Sequence, residues 1–126
     1  MGVRLSDFEL DVMTHFWSDG ELSAPELFER IGAERGVAYS TVKTIVDRLE
    51  EKGAIERIAN RGRTIVYAPA IKQARVRKPL VKTFLRRLFG NDLRPLFAQL
   101  LQDEKLSEGE LEYLRKLVAE AQRDKK

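Results

Sequence analysis

The sequence predicts a mainly α fold with one small β-hairpin. Three observations carry that prediction: a helix-start device that occurs three times, apolar residues at helical spacing after each start, and one pair of Ile/Val/Tyr-rich runs around a glycine turn. The device reads Leu5-Ser6-Asp7-Phe8-Glu9-Leu10, Leu22-Ser23-Ala24-Pro25-Glu26-Leu27 and Leu106-Ser107-Glu108-Gly109-Glu110-Leu111. In each, the Ser hydroxyl is placed to accept from the backbone N–H of the Glu three residues on. That Glu reaches back to the Ser N–H, and the flanking Leu pair staples the entry. The starts are unevenly spaced, which makes them a capping habit and not a solenoid period.

Taken in order, Phe8, Val12, Met13, Phe16 and Trp17 mark a first helix that Asp19-Gly20 closes. Leu27, Phe28 and Ile31 mark a shorter second helix that stops near Gly32–Gly36. A third runs from about Tyr39 to Lys52 on the stripe Val42, Ile45, Val46 and Leu49, with Gly53 as its stop. Ala54–Ile58 and Thr64–Ala68 then flank Asn60-Arg61-Gly62 as a hairpin. Three short helices followed by a hairpin make an N-terminal winged helix-turn-helix, residues 1–70, with helices two and three as the helix-turn-helix and the hairpin as the wing.

Residues 71–126 read as a C-terminal helical segment. Val81, Phe84, Leu85, Leu88 and Phe89 form one stripe, ended by Gly90, and Pro79 is expected to start or kink that helix. Leu93, Leu96, Phe97, Leu100 and Leu101 form a second, with Pro95 tolerable in its first turn. Leu111, Leu114, Leu117, Val118 and Ala121 form a third. Three helices of this length bury little alone, so this half is expected to complete its core as a homodimer. The residues assigned to that contact are Phe84, Leu88, Leu96, Phe97, Leu100, Leu111, Leu114, Leu117 and Val118.

Composition narrows the function. A chain of 126 residues holds one domain, or a small domain plus an oligomerisation segment. Its longest apolar run, Ile65–Ile71, contains Pro69 and falls well short of the ~20 residues that cross a bilayer. With no cysteine, disulfides, thiolate zinc sites and cysteine nucleophiles are all removed, which suits a cytoplasmic protein. His15 is the only histidine, and a triad would need it beside a serine and a carboxylate. Gly32–Gly36 lacks the Lys-Ser/Thr of a phosphate loop. An enzyme is therefore not expected, and neither is a cofactor.

Charge is divided along the chain. Residues 1–70 carry 9 Lys+Arg against 12 Asp+Glu, and residues 71–126 carry 14 against 8, within an overall charge of +3. The pI near 9.3 favours an acidic partner such as double-stranded DNA. With the core stripe removed, the third helix presents Ser40, Thr41, Lys43, Thr44, Asp47 and Arg48. Short hydroxyl side chains let a helix approach the major groove closely. Lys43 has two readings, a base contact or a point charge on phosphate, and Arg48 has two, a DNA contact or a pair with a nearby carboxylate. Asp47, Glu50 and Glu51 repel phosphate, so the helix should dock by its N-terminal half. Arg57, Arg61 and Arg63 are expected to converge on the hairpin turn and meet the sugar–phosphate backbone. The acid-free run from Lys72 to Arg87 either tracks phosphate or solvates a dimerisation helix. A winged helix used for protein–protein contact stays open as the alternative, since the first 36 residues hold 3 Lys+Arg against 8 Asp+Glu.

These residues also carry a family likeness. Glu9-Leu10-Asp11-Val12-Met13 with Trp17, Thr41-Val42-Lys43-Thr44 with Arg48-Leu49 and Lys52-Gly53-Ala54, and Gly62-Arg63 with Tyr67 and Pro69 are its first pieces. Phe84-Leu85 with Phe89-Gly90, and Leu106-Ser107 with Glu110-Leu111, complete it. The chain resembles the BlaI/MecI/CopY family of bacterial penicillinase-repressor-type regulators over nearly its whole length. The resemblance implies a homodimeric repressor that binds inverted-repeat (pseudo-palindromic) operators near promoters, with Thr41, Lys43 and Thr44 in the family's DNA-contact positions. Ser40 stands where family members often have Lys, and Lys43 where they have Arg, so operator identity does not carry over. By family analogy the upstream partner is a membrane sensor-protease system. The family's Asn-Phe cleavage position falls on Gln99-Leu100, and the paired cysteines of copper-responsive members are absent.

Overall fold

All three Ser-x-x-Glu starts close as reciprocal capping boxes in the computed structural model, which describes residues 3–125. The Glu9 N–H donates to Ser6 Oγ at 3.1 Å while Ser6 N–H donates to Glu9 Oε1 at 2.7 Å. The pairs Ser23–Glu26 and Ser107–Glu110 repeat the arrangement. These boxes open α1 (Asp7–Asp19), α2 (Ala24–Arg35) and the final helix, α6 (Glu108–Asp124). Ser23 is buried, so its hydroxyl satisfies an N–H that water cannot reach well. Ser23→Ala is therefore expected to lower stability by about 1 kcal/mol. The effect should appear as a lower urea midpoint at unchanged slope, and an unmoved midpoint would show that the box is dispensable.

Between α2 and the wing lies α3 (Tyr39–Glu51), whose stripe Val42, Ile45, Val46 and Leu49 is buried as its spacing requires. The second helix continues to Arg35 through Gly32, which lies against the Phe28 ring where an added Cβ would clash. The sheet differs from expectation. A two-residue strand, β1 (Leu22–Ser23), joins β2 (Ile55–Arg61) and β3 (Thr64–Pro69) in the antiparallel order β1-β3-β2. Leu22 pairs with Tyr67 and Ser23 with Val66. The hairpin strands also run further than the apolar runs suggested, so the turn is Gly62-Arg63 and not Asn60-Arg61-Gly62. Gly62 sits at φ +64°, a left-handed conformation that suits the first central position of a two-residue hairpin turn.

Two compact units follow, Met1–Val81 and Lys82–Lys126. The first extends beyond the boundary expected at residue 70, because Ile71 and Val76 are buried in the same core as Phe16, Leu27, Val46 and Tyr67. The Trp17 Nε1–H donates to the Ile71 carbonyl at 2.9 Å and fixes the chain as it leaves the wing. Glu9 is a charged residue in this core: Lys52 Nζ donates to its Oε1 at 2.7 Å and to the Arg4 carbonyl at 2.8 Å.

Pro79 does not start its helix. It lies inside α4 (Gln73–Phe89), and both Pro79 and Arg75, whose carbonyl loses its i+4 donor, are exposed, so water can serve that carbonyl. The second unit continues with α5 (Arg94–Ala98), a π-helical turn (Gln99–Asp103) and α6. None of α5, the π-helical turn or α6 contains a buried residue. Phe84, Leu88, Phe97, Leu114, Leu117 and Val118 are all exposed, while Leu96 and Leu111 are half-buried. Among the described residues, no helix is long and apolar enough to cross a membrane.

Candidate nucleic-acid interface

The exposed face of α3 begins without a side-chain cap, since its N-cap is Ala38. Its first N–H groups are unoccupied by any Ser or Asp oxygen, in contrast to α1 and α2. Ser40, Thr41 and Thr44 are exposed on this face. The Thr44 hydroxyl donates to the Ser40 carbonyl at 2.9 Å, which leaves its lone pairs and methyl group outward. Thr44 is therefore equipped to accept from a base amino group or to pack on a thymine methyl.

The cations of the interface fall into two sets. Lys43 is half-buried and donates to Asp47 one turn on, a bond that raises its pKa above the ordinary lysine value. Arg57 donates to Glu50 at 2.7 Å, and Arg61 lies 3.2 Å from Glu21 and 3.7 Å from Glu26. Arg48 and Arg63 are exposed and form no ion pair among the described residues. The three wing arginines consequently do not converge on the turn. Arg57 sits opposite Tyr67 at the root of the hairpin, before a bulge between Arg57 and Ala59, and its guanidinium is drawn back to α3. Arg61 flanks the turn but is held toward α2. Arg63 occupies the turn itself.

The carboxylates that oppose phosphate are thus partly answered within the chain: Lys43 neutralises Asp47 and Arg57 neutralises Glu50. Exposed pairs of this kind are worth about 0.3–1 kcal/mol, small enough for a phosphate to outcompete. Two residues of this region had no part assigned to them in DNA contact from the sequence, Tyr39 and Tyr67. Tyr39 stands at the first turn of α3 and meets Phe28 edge-on with ring centroids 5.8 Å apart. Tyr67 is buried, and its hydroxyl has no hydrogen-bond partner among the described residues. Its place inside the apolar run Ile65–Ile71 favours burial, but nothing in the sequence reveals an unpaired hydroxyl.

His15 lies elsewhere, in an open cleft of about 360 Å³ lined by Asp11, Thr14, Ile31, Glu34 and Arg35. Arg35 is already engaged there, paired with Asp11 and stacked 4.1 Å over the Phe8 ring. Among the described residues, no serine lines that cleft beside His15. Among the described residues no group of three His, Cys, Asp or Glu could hold a metal ion.

The fold is a winged helix, and the family and relatives that match it are DNA-binding transcriptional repressors. The chain belongs to the penicillinase repressor family, whose model matches residues 5–120. It is 31% identical over 116 residues to the penicillinase repressor of Staphylococcus aureus, covering 92% of this chain and 91% of that one. It is 25% identical over 115 residues to the methicillin resistance regulatory protein MecI of Mammaliicoccus sciuri, covering 91% and 93% respectively. The solved DNA-binding domain of the repressor BlaI superposes with a TM-score of 0.53 at 28% identity, covering 60% of this chain and 93% of that domain. The family consists of repressors and not enzymes.

Proposed function

We propose that the chain acts as a homodimer on an inverted-repeat operator, with one α3 entering the major groove of each half-site and Gly62-Arg63 of the wing on the flanking backbone. The observation that carries this reading is the pairing of an exposed Ser40/Thr41/Thr44 face with a second unit that buries no side chain of α5 or α6. Half-sites one helical turn or a multiple apart follow from a two-fold arrangement. Ser40, Thr41 and Thr44 are the base-facing set. Lys43, Arg48, Arg61 and Arg63 supply charge, and Arg57 does so only on leaving Glu50. A sensor-protease system is the upstream partner that family likeness suggests, and Gln99-Leu100 is then held in a helical turn that a protease would first have to unwind.

The test is retention of fragmented genomic DNA from the source organism at physiological salt, followed by sequencing. A few enriched sites sharing an inverted repeat near promoters would support the reading, whereas diffuse retention lost with added salt would overturn it. On the enriched site, Thr44→Ala is expected to weaken specific binding about fivefold and to leave binding to random duplex nearly unchanged. Equal loss on both duplexes in an anisotropy titration would remove Thr44 from base reading.

A further inference from the structure

A small cleft opens between the start of α3 and the wing, of about 130 Å³ and lined in part by Tyr39, Lys43, Arg63, Thr64 and Tyr67. At roughly 30 Å³ per water it holds about four waters, far below the 300–1,000 Å³ of a site for a drug-sized ligand. Two of its walls are cationic and no acidic side chain lines it. It adjoins the helix terminus that has no side-chain cap, where backbone N–H groups and the helix dipole favour an anion. Independently of that terminus, Tyr67 lines the same cleft at 1% exposure with a hydroxyl that bonds to nothing among the described residues. A buried hydroxyl without a partner is unfavourable and rare, and its presence beside two cations points to an acceptor that arrives from outside.

We infer that this cleft seats one backbone phosphate of the bound duplex, with Lys43 and Arg63 as its charges and the Tyr67 hydroxyl as a neutral donor. The inference rests on the DNA-binding reading above and adds to it a residue outside the helix face and the wing tip. The hydroxyl is closed to solvent in the free chain, so the phosphate must draw aside a wall of the cleft. The two flexible cations are the walls able to move. Lys43 exchanges Asp47 for the phosphate, one exposed ion pair for a charge-assisted contact in a more enclosed place. A seat at this point fixes how deeply α3 enters the groove, because it ties the helix start and the wing to the same phosphate.

Tyr67→Phe removes the donor and leaves ring, charge and fold in place. The variant should melt at the same temperature as the unsubstituted chain or slightly higher, since no protein hydrogen bond is lost. Its affinity should fall about tenfold on operator and on random duplex alike, because a phosphate contact carries no sequence information. Its salt slope should be unchanged, whereas Arg63→Gln should reduce the slope by about 0.9. Unaltered affinity of Tyr67→Phe would overturn the seat, as would a lower melting temperature, which would reveal a structural hydrogen bond. Loss on the operator alone would also overturn it, by assigning the hydroxyl to a base. Inorganic phosphate at constant ionic strength, if it stabilised the unsubstituted chain but not Tyr67→Phe while duplex affinities stayed equal, would assign the cleft to a free anion instead. Should the unsubstituted chain bind no duplex, the DNA reading itself fails, an outcome distinct from all of these.

Discussion

Leu114→Asp is expected to turn the proposed dimer into a monomer and to lower operator affinity by about a hundredfold or more. The leverage comes from geometry: two linked recognition helices make the second half-site contact intramolecular, an advantage of about 10²–10⁴. Leu114 is 37% exposed in the single chain, and Leu117 and Val118 on the same helix are more so. Each such side chain is worth about 1.5–3 kcal/mol when fully buried, so a stripe of several can hold two copies together. An aspartate placed in the stripe would have to be desolvated without a partner. Affinity for a single half-site should remain, which separates loss of assembly from loss of fold. Light scattering that reports a monomer for the unsubstituted chain would refute the dimer, and full operator affinity in Leu114→Asp would refute the role of α6.

Lys52→Met should lower the stability of the first unit by about 2–3 kcal/mol. Glu9 is 2% exposed, and it accepts from Ser6 N–H and Lys52 Nζ through one oxygen while Oε2 has no partner. Burial pushes its pKa up, but the bonds from Lys52 and Ser6 outweigh burial and the net shift is downward. Without Lys52 that balance inverts, and a buried carboxylate is left with only its capping bond. The Lys52 side chain keeps 38% of its exposure, and water reaching that side keeps the loss at the lower end for a buried pair. Glu9→Gln in the Lys52→Met background should recover part of the stability, because a neutral amide tolerates burial better. No recovery would show that Lys52 acts by packing its stem. The pH dependence has a definite sign: a carboxyl held below its ordinary value near 4.5 contributes fully above that pH, and the contribution is lost as pH falls through the native value. Glu26 and Glu110, lowered by their Ser caps, act in the same direction, so acid should loosen the helix starts together.

What could be read in the sequence was what depends on neighbours three or four residues away. The capping boxes, the α3 stripe and the amphipathic C-terminal helices are local patterns, and the structure carries each of them. Pro79 is tolerated inside α4 because the rule against proline in a helix concerns a lost donor and a crowded carbonyl, and an exposed helix face relieves the first with water. The strand β1 was hidden because Leu22 and Ser23 already had a local role as staple and cap, while their ladder partners lie across the chain on β3. The candidate site was legible as a set of residue types and illegible as a set of bonds. Which carboxylate Arg57 or Arg61 meets is decided by how α2, α3 and the hairpin come together, and no spacing encodes that. The unpaired Tyr67 hydroxyl is harder still, because it is defined by what surrounds it.

The short strand β1 has a mechanical meaning. Because Leu22 and Ser23 are hydrogen-bonded to β3 and Ser23 also caps α2, the base of the wing and the root of the helix-turn-helix are one braced piece of backbone. In the proposed complex, wing and reading helix therefore reach DNA with their relative angle already set. In that complex little conformational freedom would remain to be surrendered on docking, and a duplex whose groove does not match the preset angle would be refused by the stiffness of the frame as well as by missing contacts.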